Sequence, residues 1–127
     1  MYLNNEISGK DCWKKLNRDE LQGWLVFALH ITKPGPDREN LFIRIDGSRF
    51  HNEDGFYCAL GEEIHGSTGY FGRNKGALTD CLRGSFGVKS ISEITWVNHQ
   101  RSKKLLKRNF TDIIAIFESF DVRVMLK

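Results

Sequence analysis

The chain has 127 residues, of which 40% are hydrophobic and 28% charged, and its formal net charge is +3. This length accommodates one compact domain, and the ordinary hydrophobic content with only two prolines excludes a disordered or collagen-like chain. The longest apolar run, residues 24–29, is too short to cross a bilayer, and the first residues lack the layout of a secretion signal. We therefore expect a small cytoplasmic protein without a membrane partner.

The cysteines point to the same compartment. Cys12, Cys58 and Cys81 are an odd number, with no CxxC motif and no histidine at zinc-ligand spacing. A disulfide framework is not expected, which fits a reducing cytosol. We expect three buried thiols that act as small apolar side chains.

The first half of the chain contains two predicted strands and one predicted helix. Residues 24–31 are apolar except for His30 and end at a segment with proline and glycine, a pattern typical of a strand followed by a loop. Residues 41–45 are rich in β-formers and predict a second strand. Asn52, with two acids after it, and Gly66 mark the start and end of a helix with apolar side chains at helical spacing.

The second half alternates helices and strands again. A helix over residues 74–83 carries one apolar stripe, formed by Ala77, Leu78, Cys81 and Leu82. The remaining predicted elements are a strand over 91–97, a basic helix over 100–107, a helix capped by Thr111 or Asp112, and a closing strand over 122–126. Strands joined through helices pair in parallel, so we predict an α/β fold. Its small parallel three-stranded sheet is packed with helices and extended by the N-terminal strand over residues 24–31.

The sequence offers no catalytic constellation. No glycine-rich phosphate loop precedes a helix, and the four histidines are scattered. Glu62 and Glu63 with His65 would suit acid–base chemistry, but at the end of an amphipathic helix we expect a solvated surface. Cys81 lies on an apolar stripe, where a thiol is a poor nucleophile. We predict that the protein is not an enzyme and needs no metal or cofactor.

A basic run gives one alternative function. Five cations lie within residues 99–109 with no acid among them: Arg101, Lys103, Lys104, Lys107 and Arg108. A nucleic-acid-binding module using residues 101–108 would bring such a run to phosphates. A solvated helix face is the more common reason for such a run, and the interleaved aromatic residues typical of single-strand binding are missing.

One acidic residue stands out on the helix over residues 74–83. At about 100° per residue, Asp80 points about 130° from the centre of the apolar stripe. It therefore shares the outer face of the helix with four residues: Arg73, Gly76, Thr79 and Arg83. Just before this helix, Tyr70 and Phe71 form either a recognition surface or a hydrophobic staple for the helix start.

Residues 70–84 resemble the signature of the barstar family of intracellular ribonuclease inhibitors. The shared pattern is aromatic-aromatic-Gly-x-Asn-x-x-Ala-Leu-x-Asp-x-Leu. The resemblance continues through Trp96 at the end of a strand and Phe117 before the closing strand. It covers residues 41–127, which we expect to be the barstar-like domain. Residues 1–40 have no counterpart in the family's type member and form an N-terminal extension.

The resemblance implies a protein that occludes a ribonuclease active site with its second helix and the loop before it. An acid presented there replaces an RNA phosphate against the nuclease's cations, and barstar with barnase is itself the standard example of association steered by charge. The resemblance makes Asp80 the central acid and Tyr70 an aromatic contact. With the outer-face residues, the predicted partner-binding residues are Tyr70, Phe71, Gly72, Arg73, Asn74, Gly76, Thr79, Asp80, Arg83 and Gly84.

The chain departs from the type member in the charge of this surface. Gly76 stands in place of a second acid, Thr79 and Ser85 stand in place of tryptophans, and Arg73 and Lys75 add positive charge. Because of these departures from the type member, we expect a partner other than barnase. We expect the immunity protein of a bacterial ribonuclease toxin, as in contact-dependent growth inhibition, with a cognate toxin domain as partner and no direct contact with nucleic acid.

Overall fold

Three parallel strands form one sheet in the order β1-β2-β3 in a computed structural model that describes residues 12–127. The strands are β1 (Leu41–Asp46), β2 (Ile91–Val97) and β3 (Arg123–Leu126). The α-helices of the described residues are α1 (Arg18–Ile31), α2 (Glu53–His65), α3 (Lys75–Asp80), α4 (His99–Leu106) and α5 (Arg108–Ser119). The α/β fold and the parallel three-stranded sheet are as predicted.

The centre of the core lies on β2. Ile94 and Trp96 are fully buried at alternate positions of this strand, and Trp96 pairs in register with the buried Ile45 of β1. The Trp96 ring stacks on Phe56 at 5.2 Å between ring centroids, and its indole Nε1 donates to the Ser102 hydroxyl at 3.0 Å. Helix α2 is thus fixed against the middle of the sheet, and α4 is fixed at the end of β2.

The prediction of a strand over residues 24–31 is wrong, because this segment is the second half of helix α1. The Asn17 side chain caps the helix and forms a reciprocal capping box with Glu20. The buried side chains recur at helical spacing: Leu21, Leu25 and Ala28. The sheet therefore gains no strand from this segment. No helix of the described chain, α1 included, has the length and apolar character required to cross a membrane.

Two of the three cysteines lie in the described core. Cys58 and Cys81 are buried free thiols, as expected, whereas the side chain of Cys12 is outside the described part of the chain. Burial raises the pKa of Cys58 far above its usual range. Burial, with the nearby Asp80 charge, raises the pKa of Cys81 to about 11. These are the surroundings of packing thiols rather than nucleophiles.

Glu62 is not on a solvated surface, so that expectation is wrong. Its side chain is 1% exposed and pairs with Arg49 at 2.7 Å, while Arg49 also reaches Glu63 at 3.0 Å. The guanidinium lies over the Trp13 ring, 5.8 Å from the centroid. This Arg49–Glu62 ion pair joins the turn after β1 to helix α2, and it explains why a glutamate lies in the core.

The basic run divides between α4 and α5. Lys107 has a positive φ of 56° and separates the two helices, so α5 begins at Arg108 rather than after a cap at Thr111 or Asp112. Arg101 turns inward and donates to the carbonyl oxygens of Gly47 at 2.8 Å and Phe50 at 2.7 Å. The exposed basic side chains of the run are Lys103, Lys104, Lys107 and Arg108. One of the five predicted cations is thus engaged in holding the fold.

Candidate partner-binding site

The start of helix α3 is fixed by a side-chain cap and a sharp backbone turn. Asn74 is the N-cap, and its side-chain oxygen accepts from the Ala77 amide at 2.8 Å. Two residues earlier, Gly72 has a φ of +104°, and a Cβ there would lie 2.9 Å from the Leu78 Cα. Only glycine tolerates this combination of conformation and close approach. The direction in which the helix leaves the loop is therefore specified by local sequence.

Asp80 lies at the end of α3 with its side chain 71% exposed. Its neighbours Leu78 and Cys81 are buried, so the helix is anchored on one face and presents the carboxylate on the other. Arg83 approaches the carboxylate at 3.2 Å and is itself 66% exposed. Exposed pairs of this kind contribute little stability.

The rings of the two loop aromatics lie in the core of the chain, beneath the surface of the candidate site. Tyr70 is 3% exposed and Phe71 is fully buried. Tyr70 packs edge-on against Phe86 at 5.5 Å, and Phe71 lies 6.1 Å from the His65 ring. The rings fill the space beneath the loop, where they meet Phe86 and His65 from two other segments. Of the two interpretations given above, support of the helix start is the one that the structure favours.

The remaining predicted residues surround Asp80 at different depths. Asn74, Gly76 and Arg83 are exposed. Arg73, Thr79 and Gly84 are half-buried, and the Thr79 hydroxyl donates to the Lys75 carbonyl at 2.9 Å. The predicted outer face of the helix is thus present, and its edge lies at Gly84.

A wide turn ends the site on its C-terminal side. Residues Cys81–Ser85 continue α3 as one π-helical turn, in which Gly84 has a φ of +93°. A left-handed residue here favours glycine, as at other helix ends. The chain then returns to Phe86, whose ring packs on Tyr70 and whose carbonyl accepts from His65 at 3.0 Å. The turn therefore brings Phe86 beneath the helix, where it contacts Tyr70 and His65.

His65 forms hydrogen bonds with two distant segments, at Phe86 and at Arg38. Its Nε2–H donates to the Phe86 carbonyl, and its Nδ1 accepts from Arg38 at 3.2 Å, which requires the neutral ring. Burial lowers the pKa of His65 below its ordinary 6.5, opposed by the hydrogen bond to Phe86 and reinforced by the charge of Arg38. Sequence reasoning considered His65 only beside Glu62 and Glu63 and missed this function, because its partners come from distant segments.

We expect acid to weaken the hydrogen bonds that neutral His65 forms with Phe86 and Arg38, and with them the stability of the fold. Because the unfolded histidine binds protons more readily than the folded one, the contribution of neutral His65 is fully present above about pH 6.5, the ordinary value, and is lost progressively as the pH falls from there through the lower pKa of the folded histidine. Urea denaturation at about pH 7.5, 6 and 5 measures the resulting fall in the free energy of unfolding. His65→Gln keeps a donor for Phe86 and an acceptor for Arg38 without titrating. It should show a smaller fall, and an equal fall in both proteins would contradict the assignment.

A known protein family matches the segment of the chain that contains the candidate site. Residues 40–124, about two thirds of the chain, match the family model described as "Barstar (barnase inhibitor)". A search among curated proteins gave no match. The matched segment begins one residue before β1, ends inside β3 and contains every residue of the candidate site. Helix α1 lies outside it.

Proposed function

The chain belongs to the barstar family of ribonuclease inhibitors, and on this basis we propose that it binds and occludes the active site of a ribonuclease toxin. Members of this family are inhibitors rather than enzymes, and they bind ribonucleases. We further propose that it is the immunity protein of a bacterial toxin system such as contact-dependent growth inhibition. It would act in the cytoplasm of the toxin-producing cell, where the RNA to be protected lies.

The observation that carries this proposal is the exposed carboxylate of Asp80 on an anchored helix. A carboxylate presents two acceptor oxygens, which makes it a substitute for an RNA phosphate against Arg, Lys or His side chains. The charge-assisted hydrogen bonds formed at such a contact are strong when water is excluded. Asp80 is held for this contact by the Asn74 cap at one end of α3 and by buried Leu78 and Cys81 beneath it.

The surface around Asp80 supports contact with a protruding group of the partner. Gly76 lies one helical turn before Asp80 on the same face and has no side chain to cover the helix there. A partner side chain that reaches Asp80 can therefore approach closely. We assign direct contacts to Arg73, Asn74, Gly76, Thr79, Asp80, Arg83 and Gly84. Tyr70, Phe71 and Gly72 then support this surface from below.

The charge of the surface argues for a partner other than barnase. Arg73, Lys75 and Arg83 lie within eight residues of Asp80 along the chain. Lys75 is paired with Asp112 at 3.6 Å, and Arg83 is paired with Asp80 itself at 3.2 Å. A like-charged rim would repel a uniformly basic nuclease surface. The fitting partner carries a cationic centre for Asp80 with acidic groups around it.

Binding of nucleic acid through residues 101–108 is the less supported function. Arg101 is directed into the fold toward Gly47 and Phe50, and no Phe, Tyr or Trp is interleaved with the cations of residues 101–108. A salt-sensitive affinity for RNA in the absence of a protein partner would favour it.

Affinity capture from a lysate of the source organism tests the proposal. We expect the immobilised chain to retain a ribonuclease, identified by mass spectrometry, whose cleavage of RNA is blocked by an equimolar amount of the chain. A retained ribonuclease that still cleaves RNA in the complex would contradict occlusion of the active site. Retention of RNA alone, released by salt from wild type and Asp80→Ala alike, would support the nucleic-acid alternative instead.

A further inference from the structure

We propose that helix α1 positions the loop before α3, residues 68–74, and that Gln22 is the positioning residue. This inference rests on the proposed function, since it concerns how the same surface is prepared for its partner. The Gln22 carboxamide donates to the Asp54 carboxylate at 2.7 Å and to the Arg73 carbonyl at 3.2 Å. Arg73 directly precedes Asn74, the cap of α3. Gln22, a residue outside the family-matched segment, thus holds the backbone from which helix α3 starts.

A second tether lies further along the same helix. The Thr32 hydroxyl, at the C-terminal end of α1, donates to the Thr68 carbonyl at 3.3 Å. The two tethers are ten residues apart on α1, which corresponds to about 15 Å of helix. Thr68 and Arg73 are five residues apart, and their order along the chain is opposite to that of their partners Thr32 and Gln22 on α1. Residues 68–73 therefore run along α1 in the opposite direction and are attached at both ends.

Helix α1 is itself packed on the core. Leu21, Leu25 and Ala28 are buried in the common core, on the face that packs against the domain. Gln22 follows Leu21 and is half-buried at the edge of this contact. Its second acceptor, Asp54, belongs to the first turn of α2, so the carboxamide joins three segments at one point. The position of Gln22 is fixed before any partner arrives.

The tether has a consequence for binding. Loops that must become ordered on association lose affinity because of the entropy of ordering. The Gly72 turn and the Asn74 cap define the direction of α3 only while the preceding backbone is held. Removal of the donor at Gln22 should loosen residues 68–74 and weaken binding without exposing the core.

Amide hydrogen exchange on the full chain, without a partner, tests the structural half of the inference. Gln22→Glu keeps the shape of the side chain but loses the donor and places a second carboxylate beside Asp54, so we expect exchange in residues 68–74 to rise at least several-fold. Gln22→Lys supplies donors for both acceptors and should restore slow exchange. Asp19→Ala, at an exposed position on the same helix, is the matched control. Unchanged exchange in Gln22→Glu would overturn the proposal.

Affinity for the captured ribonuclease tests the functional half. We expect Gln22→Glu to raise Kd about 3- to 10-fold, with recovery in Gln22→Lys and no change in Asp19→Ala. Faster exchange with an unchanged Kd would overturn the claim that this loop is prepared for the partner. The exchange result does not depend on a ribonuclease, so failure of the proposed function is distinguishable from failure of this inference.

Discussion

Replacing Asp80 with alanine is expected to weaken binding of the partner ribonuclease by at least about 2 kcal/mol, which corresponds to a roughly 30-fold rise in Kd. This is the level that defines an interface hot spot, and the matching acid of barstar is itself the extreme case, so the magnitude is the family's. The physical reason is that the variant leaves the partner's cations at the centre of the interface without their carboxylate.

The same substitution should leave the fold unchanged. Asp80 is 71% exposed, and its pair with Arg83 is also exposed, so the melting temperature should stay within about a degree or two of wild type. Titration calorimetry with the captured ribonuclease measures the affinity. Glu118→Ala removes one exposed acid from α5 and is the matched control for net charge. A Kd for Asp80→Ala within a factor of three of wild type would remove Asp80 from the centre of the interface.

The largest effect on stability is expected for Arg49→Met, which should lower the free energy of unfolding by about 3–5 kcal/mol. The variant leaves the Glu62 carboxylate, 1% exposed, in the core without its arginine. The desolvation penalty of that carboxylate is then no longer offset by the guanidinium at 2.7 Å. The cation–π contact with Trp13 is lost as well.

A double variant separates the buried charge from simple loss of packing. Arg49→Met combined with Glu62→Gln removes both charges, and it should recover a large part of the lost stability in urea denaturation. Glu63→Gln, at a side chain that is 27% exposed, should cost little by comparison. If the double variant is no more stable than Arg49→Met, the contribution of Arg49 is packing rather than charge compensation.

The elements that could be predicted from the sequence are those whose signals are local. Strand β2 spans the predicted residues 91–97, because its buried and half-buried positions follow a strand pattern. Helix α2 begins directly after the predicted cap Asn52 and stops directly before Gly66, whose φ is 82°. In both cases the residues that determine the element lie within it or directly beside it.

Helix α1 was mispredicted because a continuous apolar run carries no period. Val26, Phe27, Leu29 and Ile31 are all exposed, so the run suggested more burial than the segment has. The useful signal was the Asn17–Glu20 capping box upstream, together with the spacing of Leu21, Leu25 and Ala28. The residues that start a helix can lie several positions before the apolar run from which the element is predicted.

The candidate site was predictable only in part, because its supports are tertiary. The helical period placed Asp80 on the outer face, where the structure has it, and the resemblance supplied the function that we propose for it. No local pattern shows that Tyr70 and Phe71 point inward, since the ring that receives Tyr70 belongs to Phe86. Gln22 was equally hidden, because its acceptor Arg73 is 51 residues away in the sequence.

The strand order of the sheet also has a consequence for the time at which the protein becomes available. The central strand β2 is the second to be synthesised, and Leu41 of β1 pairs with Ile91, about fifty residues later. Arg123 of β3 pairs back to Glu93. Such non-local pairing forms slowly, and until it is complete the unpaired strand edges can pair with other chains and aggregate. The sheet is complete only after residue 126 has left the ribosome, so under the proposed function synthesis of the inhibitor must precede synthesis of its nuclease.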